Sequence, residues 1–146
     1  EDVAFGPLNM GKSRAEALAV ARDTLSFLGL AGYEEKITFQ LSGGEKRLVA
    51  LAGVLAMQPE ALLLDEPLTG LDIETQQVIK DLLPALGIPY IIISHDLDFL
   101  TATTRSLYTL ESGKLYLDDQ LHYHHHEHAH PLGNRPHRHE PHEPAD

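Results

Sequence analysis

The chain contains no cysteine. It therefore has no disulfides and no thiolate metal ligands, and it fits a reducing compartment. Basic residues are scarce. Lys and Arg number 11 against 22 Asp and Glu, for a formal net charge of -11. That balance excludes an electrostatic grip on nucleic acid, which needs a basic stripe, and it disfavours direct attraction to anionic lipid. No apolar run approaches the roughly 20 residues of a membrane-spanning helix. The first residues, Glu1 and Asp2, are acidic, unlike the basic-then-apolar start of a signal peptide. Any membrane role must come through a partner. What is present, 146 residues with 42% hydrophobic content, is enough for one modest globular core.

The hydrophobic spacing predicts a helix from Ser13 to about Leu28, with Leu18, Ala21, Leu25 and Leu28 on one face. Ser13-Arg14-Ala15-Glu16 reads as a capping box, and Gly29 as a stop. A polar, irregular stretch runs through Gln40. A second helix is expected from about Gly44 to Met57, with Leu48, Leu51, Ala52 and Leu55 as its stripe and Pro59 beyond its end. Ala61–Leu64 reads as a buried strand. A helix from about Asp72 to Leu86 follows, with Ile79, Leu82, Leu83 and Leu86 inward and Pro84 ending or bending it. Tyr90–Ile93 shows no polar alternation, which predicts a parallel strand covered on both faces. A short helix, then a hairpin of Ser106–Leu110 and Lys114–Leu117 around Ser112-Gly113, completes an α/β pattern.

Four short motifs carry chemistry. Asp65-Glu66 ends an apolar strand, where two carboxylates are held rigidly and point to different sides. Taken alone, the pair is also what a solvated acidic turn looks like. Ser42-Gly43-Gly44 opens a helix, where bare N–H groups and a positive partial charge favour an anion; Ser42 also suits a simple N-cap. Asp72, in Thr69-Gly70-Leu71-Asp72, suits the N-cap of the next helix. His95, in Ser94-His95-Asp96, follows a strand end and in isolation reads as a rim histidine. A fifth segment, Gly6-Pro7-Leu8-Asn9-Met10-Gly11-Lys12-Ser13, satisfies the written phosphate-loop pattern G-x-x-x-x-G-K-S. Only Val3-Ala4-Phe5 precedes it where a full buried strand is needed, and Ser13 reads as a helix cap. We therefore expect it not to act as a phosphate loop.

In order along the chain, Leu41-Ser42-Gly43-Gly44-Glu45, Leu62-Leu63-Leu64-Asp65-Glu66-Pro67, Gly70-Leu71-Asp72 and Ser94-His95-Asp96 together resemble the second half of an ATP-binding cassette (ABC) ATPase: signature loop, Walker B, D-loop and switch histidine. Asp-Val-Ala-Phe-Gly-Pro-Leu-Asn at residues 2–9, Ser-Arg-Ala-Glu-Ala at 13–17 and Glu-Lys-Arg-Leu-Val-Ala-Leu-Ala-Gly-Val-Leu-Ala-Met at 45–57 look like the energy-coupling-factor type, the cobalt/nickel importer ATPases. Glu45 stands where many cassettes carry glutamine. Leu68-Thr69 replaces a pair that is often small.

The resemblance implies an α/β fold of the P-loop NTPase class with a mostly parallel sheet, covering roughly residues 1–118. It implies a division into the remainder of a helical subdomain (1–43, ending in the signature loop), the C-terminal half of a RecA-like core (44–118) and a tail (119–146). It implies ATP and Mg²⁺ as ligands. Asp65 would hold the Mg²⁺ through water, Glu66 would act as general base and His95 would contact the γ-phosphate. Ser42, Gly43, Gly44 and Glu45 would complete the site of a partner, with Asp72 contacting across the dimer. The partners implied are a second ABC ATPase subunit and membrane-embedded transporter subunits, and no nucleic acid. The place implied is the cytoplasmic face of the membrane, peripherally. Because the signature loop comes so early, the expectation is a C-terminal fragment lacking Walker A and the Q-loop, inactive alone.

Beyond Asp118 the composition changes. Nine of the 10 histidines lie from His122 onward, among Pro131, Pro136, Pro141 and Pro144, a composition expected to be disordered. His122, His124, His126, His128 and His130 alternate, with His125 inserted. Alternate residues of an extended chain share a side, and imidazole suits Ni²⁺ or Co²⁺. Two rival readings are a His-rich metal-binding or storage protein using a cassette remnant as scaffold, and a soluble ABC ATPase of DNA repair or translation. The acidic balance and the Val-Ala-Phe-Gly-Pro opening count against the second.

Overall fold

A computed structural model of the protein describes residues 1–118. The expectations for 119–146, including disorder and the candidate ligands His122, His124, His125, His126, His128 and His130, lie outside the described residues.

Three helices open the chain: α1 (Asp2–Asn9), α2 (Arg14–Phe27) and α3 (Gly43–Leu55). Helix α1, which the sequence reading did not assign, carries Pro7 inside it. The G-x-x-x-x-G-K-S segment is thus a helix end, a turn at Gly11 (φ +90°) and a cap, since Ser13 accepts the Glu16 N–H and Glu16 takes the Ser13 N–H in return. The expected capping box of α2 is present, but its buried face is rotated. Ala17 is fully buried and Leu18 is 38% exposed. Small alanines at 17 and 21 let α2 lie close to its neighbours, and the larger Leu25 and Leu28 fill the space below.

Helix α3 packs against both α1 and α2, and its Val49 and Ala52 are buried in the core. A 3₁₀ turn, Thr38–Gln40, leads into it and is tied back to α1 by the Thr38 hydroxyl on the Asp2 carboxylate. Strand β1 (Leu62–Asp65) pairs in parallel with β2 (Tyr90–Ile93), with Leu62 opposite Tyr90 and Asp65 opposite Ile93. Helix α4 (Ile73–Ala85) connects them and ends one residue after Pro84. It buries Ile79, Leu82 and Leu83 as expected. Helix α5 (Leu97–Thr103) follows, burying Phe99 completely. The Tyr90 hydroxyl donates to the Thr103 carbonyl and fixes α5 against β2. An antiparallel hairpin of β3 (Tyr108–Glu111) and β4 (Lys114–Leu117) completes the described chain.

Two expectations are corrected. In place of one mostly parallel sheet, the described strands form two separate two-stranded sheets, β1–β2 parallel and β3–β4 antiparallel, the second being the hairpin that the sequence predicts. Strands β1 and β2 are also not covered on both faces. Leu62 is buried, and Leu64, Tyr90 and Ile92 pack on the core. Leu63, Ile91 and Ile93, on the opposite side of the pleat, are 76%, 64% and 63% exposed. A sheet this narrow, packed by the described helices on one side, leaves its other face open. The even apolar composition of both strands gave no way to foresee which side that would be.

Candidate functional site

The parallel pairing brings the carboxyl ends of β1 and β2 side by side, and the Glu66 N–H donates to the Ile93 carbonyl at 2.8 Å. There the chain leaves β1 abruptly. Glu66 has φ +44°, a left-handed conformation uncommon for a residue with a side chain. The turn separates the two carboxylates. Asp65 is exposed on the open side of the sheet, whereas the Glu66 side chain lies over the end of β2.

Several groups converge on Glu66. Its Oε1 lies 2.8 Å from His95 Nδ1 and accepts the His95 backbone N–H at 3.2 Å. Its Oε2 accepts from the Thr69 hydroxyl at 3.3 Å and the Ser94 hydroxyl at 3.4 Å. The His95 side chain pulls the Glu66 carboxyl below the ordinary carboxylate range, chiefly through the hydrogen bond. In return the same bond, then the carboxylate charge, raises the His95 imidazole above its ordinary value. His95 itself is 85% exposed.

The second cluster is built on the N-terminus of α3. Ser42 caps it: its hydroxyl accepts the Glu45 N–H at 3.2 Å, and Glu45 Oε2 accepts the Ser42 N–H at 2.7 Å. The other oxygen, Oε1, accepts the Tyr33 hydroxyl. The Tyr33 hydroxyl, the Ser42 N–H and the Ser42 hydroxyl, in that order, lower the Glu45 carboxyl to about 2. Helix α4 begins against the same turn. Asp72 caps it by accepting the Thr75 N–H at 2.9 Å and the Thr75 hydroxyl at 2.9 Å, and the N–H bond is the main reason its carboxyl is lowered. Gly44 is buried against this cap. A Cβ there would overlap Thr75 Oγ1 and stand 3.0 Å from Asp72 Oδ2. A cleft of about 740 Å³ lies beside the turn, with Ser42, Glu45, Asp72 and Thr75 on its wall.

The structure thus brings together Glu66 with His95, and Ser42, Gly44 and Glu45 with Asp72. Sequence reasoning missed Arg47, which projects from α3 and donates to the Glu66 carbonyl at 3.2 Å, linking the two clusters. It also missed Tyr33 and Lys36, in a loop whose sequence carries no periodic signal. No group of three or more His, Cys, Asp or Glu side chains suited to a metal ion occurs among the described residues. Asp65 offers a single accessible carboxylate. That suits Mg²⁺, which is commonly held by one or two carboxylates plus water and substrate phosphate oxygens.

A family model described as ABC transporter matches residues 6–69. A protein of Nitratidesulfovibrio vulgaris named as an ABC transporter ATP-binding protein is 53% identical over 113 residues, covering 77% of this chain and 41% of that protein. The energy-coupling factor transporter ATP-binding protein EcfA of Methanothermobacter thermautotrophicus is 45% identical over 118 residues, covering 79% of this chain and 38% of that protein. The structure of cbiO1 from Clostridium perfringens, described as part of the ABC transporter complex cbiONQ, superposes with a TM-score of 0.70 at 36% identity, over 79% of this chain and 47% of that one. The chain spans about half, or less, of the length of these relatives.

These matches overturn the expectation of a C-terminal fragment lacking Walker A and the Q-loop. The family model already aligns at residue 6 and runs to residue 69, and the relatives align over more than three quarters of the chain. The expectation rested on how few residues precede Leu41 and on the short run before Gly6-Pro7-Leu8-Asn9-Met10-Gly11-Lys12-Ser13, and both are lengths along one chain rather than properties of a nucleotide site.

Proposed function

We propose that the protein is the ATP-hydrolysing subunit of a nickel or cobalt uptake transporter, a reading supported by the ABC-transporter family model that matches residues 6–69 and by the ABC transporter ATP-binding proteins to which the chain is similar. The observation that carries this reading is the pairing of Glu66 with His95 at the carboxyl ends of two parallel strands. The ends of parallel strands are where α/β sheets bind ligands. A carboxylate held by a histidine, with its backbone fixed by Ile93 and Arg47, is placed to orient a water and take its proton.

The roles follow from what each residue offers. Glu66 is the general base. His95 holds Glu66 through Nδ1, which leaves Nε2 for a phosphate oxygen. Asp65 holds Mg²⁺, whose charge offsets that of the phosphates. Ser42, Gly43 and Gly44 receive a phosphate: the first N–H groups of a helix have no intrahelical partner and carry positive partial charge. Glu45 fixes that turn, and Asp72 sets the start of α4 against it.

Two such subunits close around ATP, each offering its Ser42 turn to the other's nucleotide, and closure moves membrane-embedded partners. The complex lies on the cytoplasmic face of the membrane. None of the described helices is long and apolar enough to cross a membrane itself. The metal assignment rests on the energy-coupling-factor resemblance, on the similarity to EcfA and cbiO1, and on the histidines from His122 to His130, which would bind Ni²⁺ or Co²⁺.

The test is complementation with the complete gene. Cells lacking it should lose high-affinity ⁶³Ni²⁺ or ⁵⁷Co²⁺ uptake and regain it with the wild-type gene, but not with Glu66→Gln. Uptake unchanged by deletion sinks the transport assignment.

A further inference from the structure

The Ser42 turn has an electrostatic difficulty. A carboxylate, Glu45, stands in the first turn of the helix whose N-terminus should accept a phosphate. A like charge beside an anion site weakens it. The loop between α2 and α3 supplies the compensation. Tyr33 donates its hydroxyl to Glu45 Oε1, and the Lys36 ammonium lies 3.9 Å from the same oxygen. The ammonium also sits 3.3 Å from the centre of the Tyr33 ring, so the two side chains hold each other. Successive turns, Tyr33 N–H to the Leu30 carbonyl and Lys36 N–H to the Tyr33 carbonyl, both at 3.1 Å, fix their spacing. With Oε2 committed to the Ser42 N–H at 2.7 Å, both carboxylate oxygens are occupied. The Ser42 hydroxyl accepts the Glu45 N–H at 3.2 Å, which closes the cap.

We propose that Tyr33 and Lys36 are positioning residues for the Ser42–Gly43–Gly44 turn, acting through the Glu45 carboxylate: they hold it away from the incoming phosphate and offset its charge. Neither residue touches the nucleotide. The inference rests on the ATP-binding reading above.

The experiment is steady-state ATP hydrolysis by the complete protein in its assembled complex, with Tyr33→Phe and Lys36→Gln each made in the wild-type and the Glu45→Gln backgrounds. In the wild-type background each variant should raise KM for ATP by roughly two- to fivefold, the scale of an exposed charge pair, with a smaller change in kcat. In the Glu45→Gln background the same substitutions should leave KM where Glu45→Gln alone puts it, because no charge remains to be offset. Melting temperatures guard against simple misfolding: Lys36 is exposed and its loss should not unfold the protein. An unchanged KM in both single variants overturns the inference, as does an equal rise in both backgrounds. If the wild-type complex hydrolyses no ATP, the functional reading falls and this inference with it. If it hydrolyses ATP and the variants behave like wild type, only this inference falls.

Discussion

Glu66 grips His95 twice: Oε1 accepts both the ring Nδ1–H at 2.8 Å and the backbone N–H of the same residue at 3.2 Å. The grip spans 29 residues of chain and exists only because β1 and β2 are parallel neighbours in register, Asp65 opposite Ile93. It fixes the tautomer and direction of the imidazole, with Nδ1 toward the carboxylate and Nε2 outward.

The pair should be visible by NMR titration. The hydrogen bond to Glu66, then its charge, raises the His95 imidazole above its ordinary value, so in Glu66→Gln it should titrate lower than in wild type. The stability linked to His95 is fully present below the unfolded imidazole value and is lost as pH rises through the raised folded value. That linked to Glu66, whose carboxyl is lowered, is present above the ordinary carboxylate value and lost as pH falls through the lowered one. An unmoved His95 titration in Glu66→Gln contradicts the pairing.

Gly44→Ala should destabilise the protein by about 1–3 kcal/mol, as overpacking of a tight contact does. The added methyl would overlap Thr75 Oγ1 and crowd Asp72 Oδ2. Pairing it with Thr75→Ala should recover part of the loss. Urea denaturation of the two variants measures both effects, and a Gly44→Ala protein as stable as wild type means that α3 and α4 do not meet as described.

Asp72→Ala removes the cap of α4 and should cost about 1 kcal/mol, with Asp72→Asn nearly neutral. The Thr75 N–H loses its partner in the first case and keeps one in the second. The same denaturation series reports it, and equal losses in both variants would argue against capping.

Phe99→Ala should cost about 3–5 kcal/mol, because the ring is fully buried and leaves a cavity. A loss under about 1 kcal/mol would mean that α5 does not pack on the core as seen.

Much of this fold is legible in the sequence. The capping box at Ser13 and the N-cap at Ser42 are local, set by residues within three positions of the cap, although the sequence reading did not name Glu45 as the partner that makes Ser42 a second box. Tyr90–Ile93 and the Lys114–Leu117 strand likewise follow from residue type and flanking turns. Helix α1 was hidden because Gly6 and Pro7 both argue against a helix, and only packing on α2 and α3 overrides them. The rotation of α2 from Leu18 to Ala17 was hidden for a related reason. A stripe that includes alanines is ambiguous by one residue until its neighbours are placed. Within the site, the motifs name Glu66 and His95, but their 2.8 Å contact depends on strand register. Arg47, Tyr33 and Lys36 act through single long-range side-chain bonds, which leave no periodic trace in a sequence.

The most direct measurement is single-turnover cleavage of bound Mg-ATP by the complete protein, wild type against Glu66→Gln. If Glu66 is the base, the variant should still bind nucleotide and should cleave it slower by about 10²–10⁴-fold, the range lost with a general base. Equal cleavage rates in the two proteins would contradict the account at its centre.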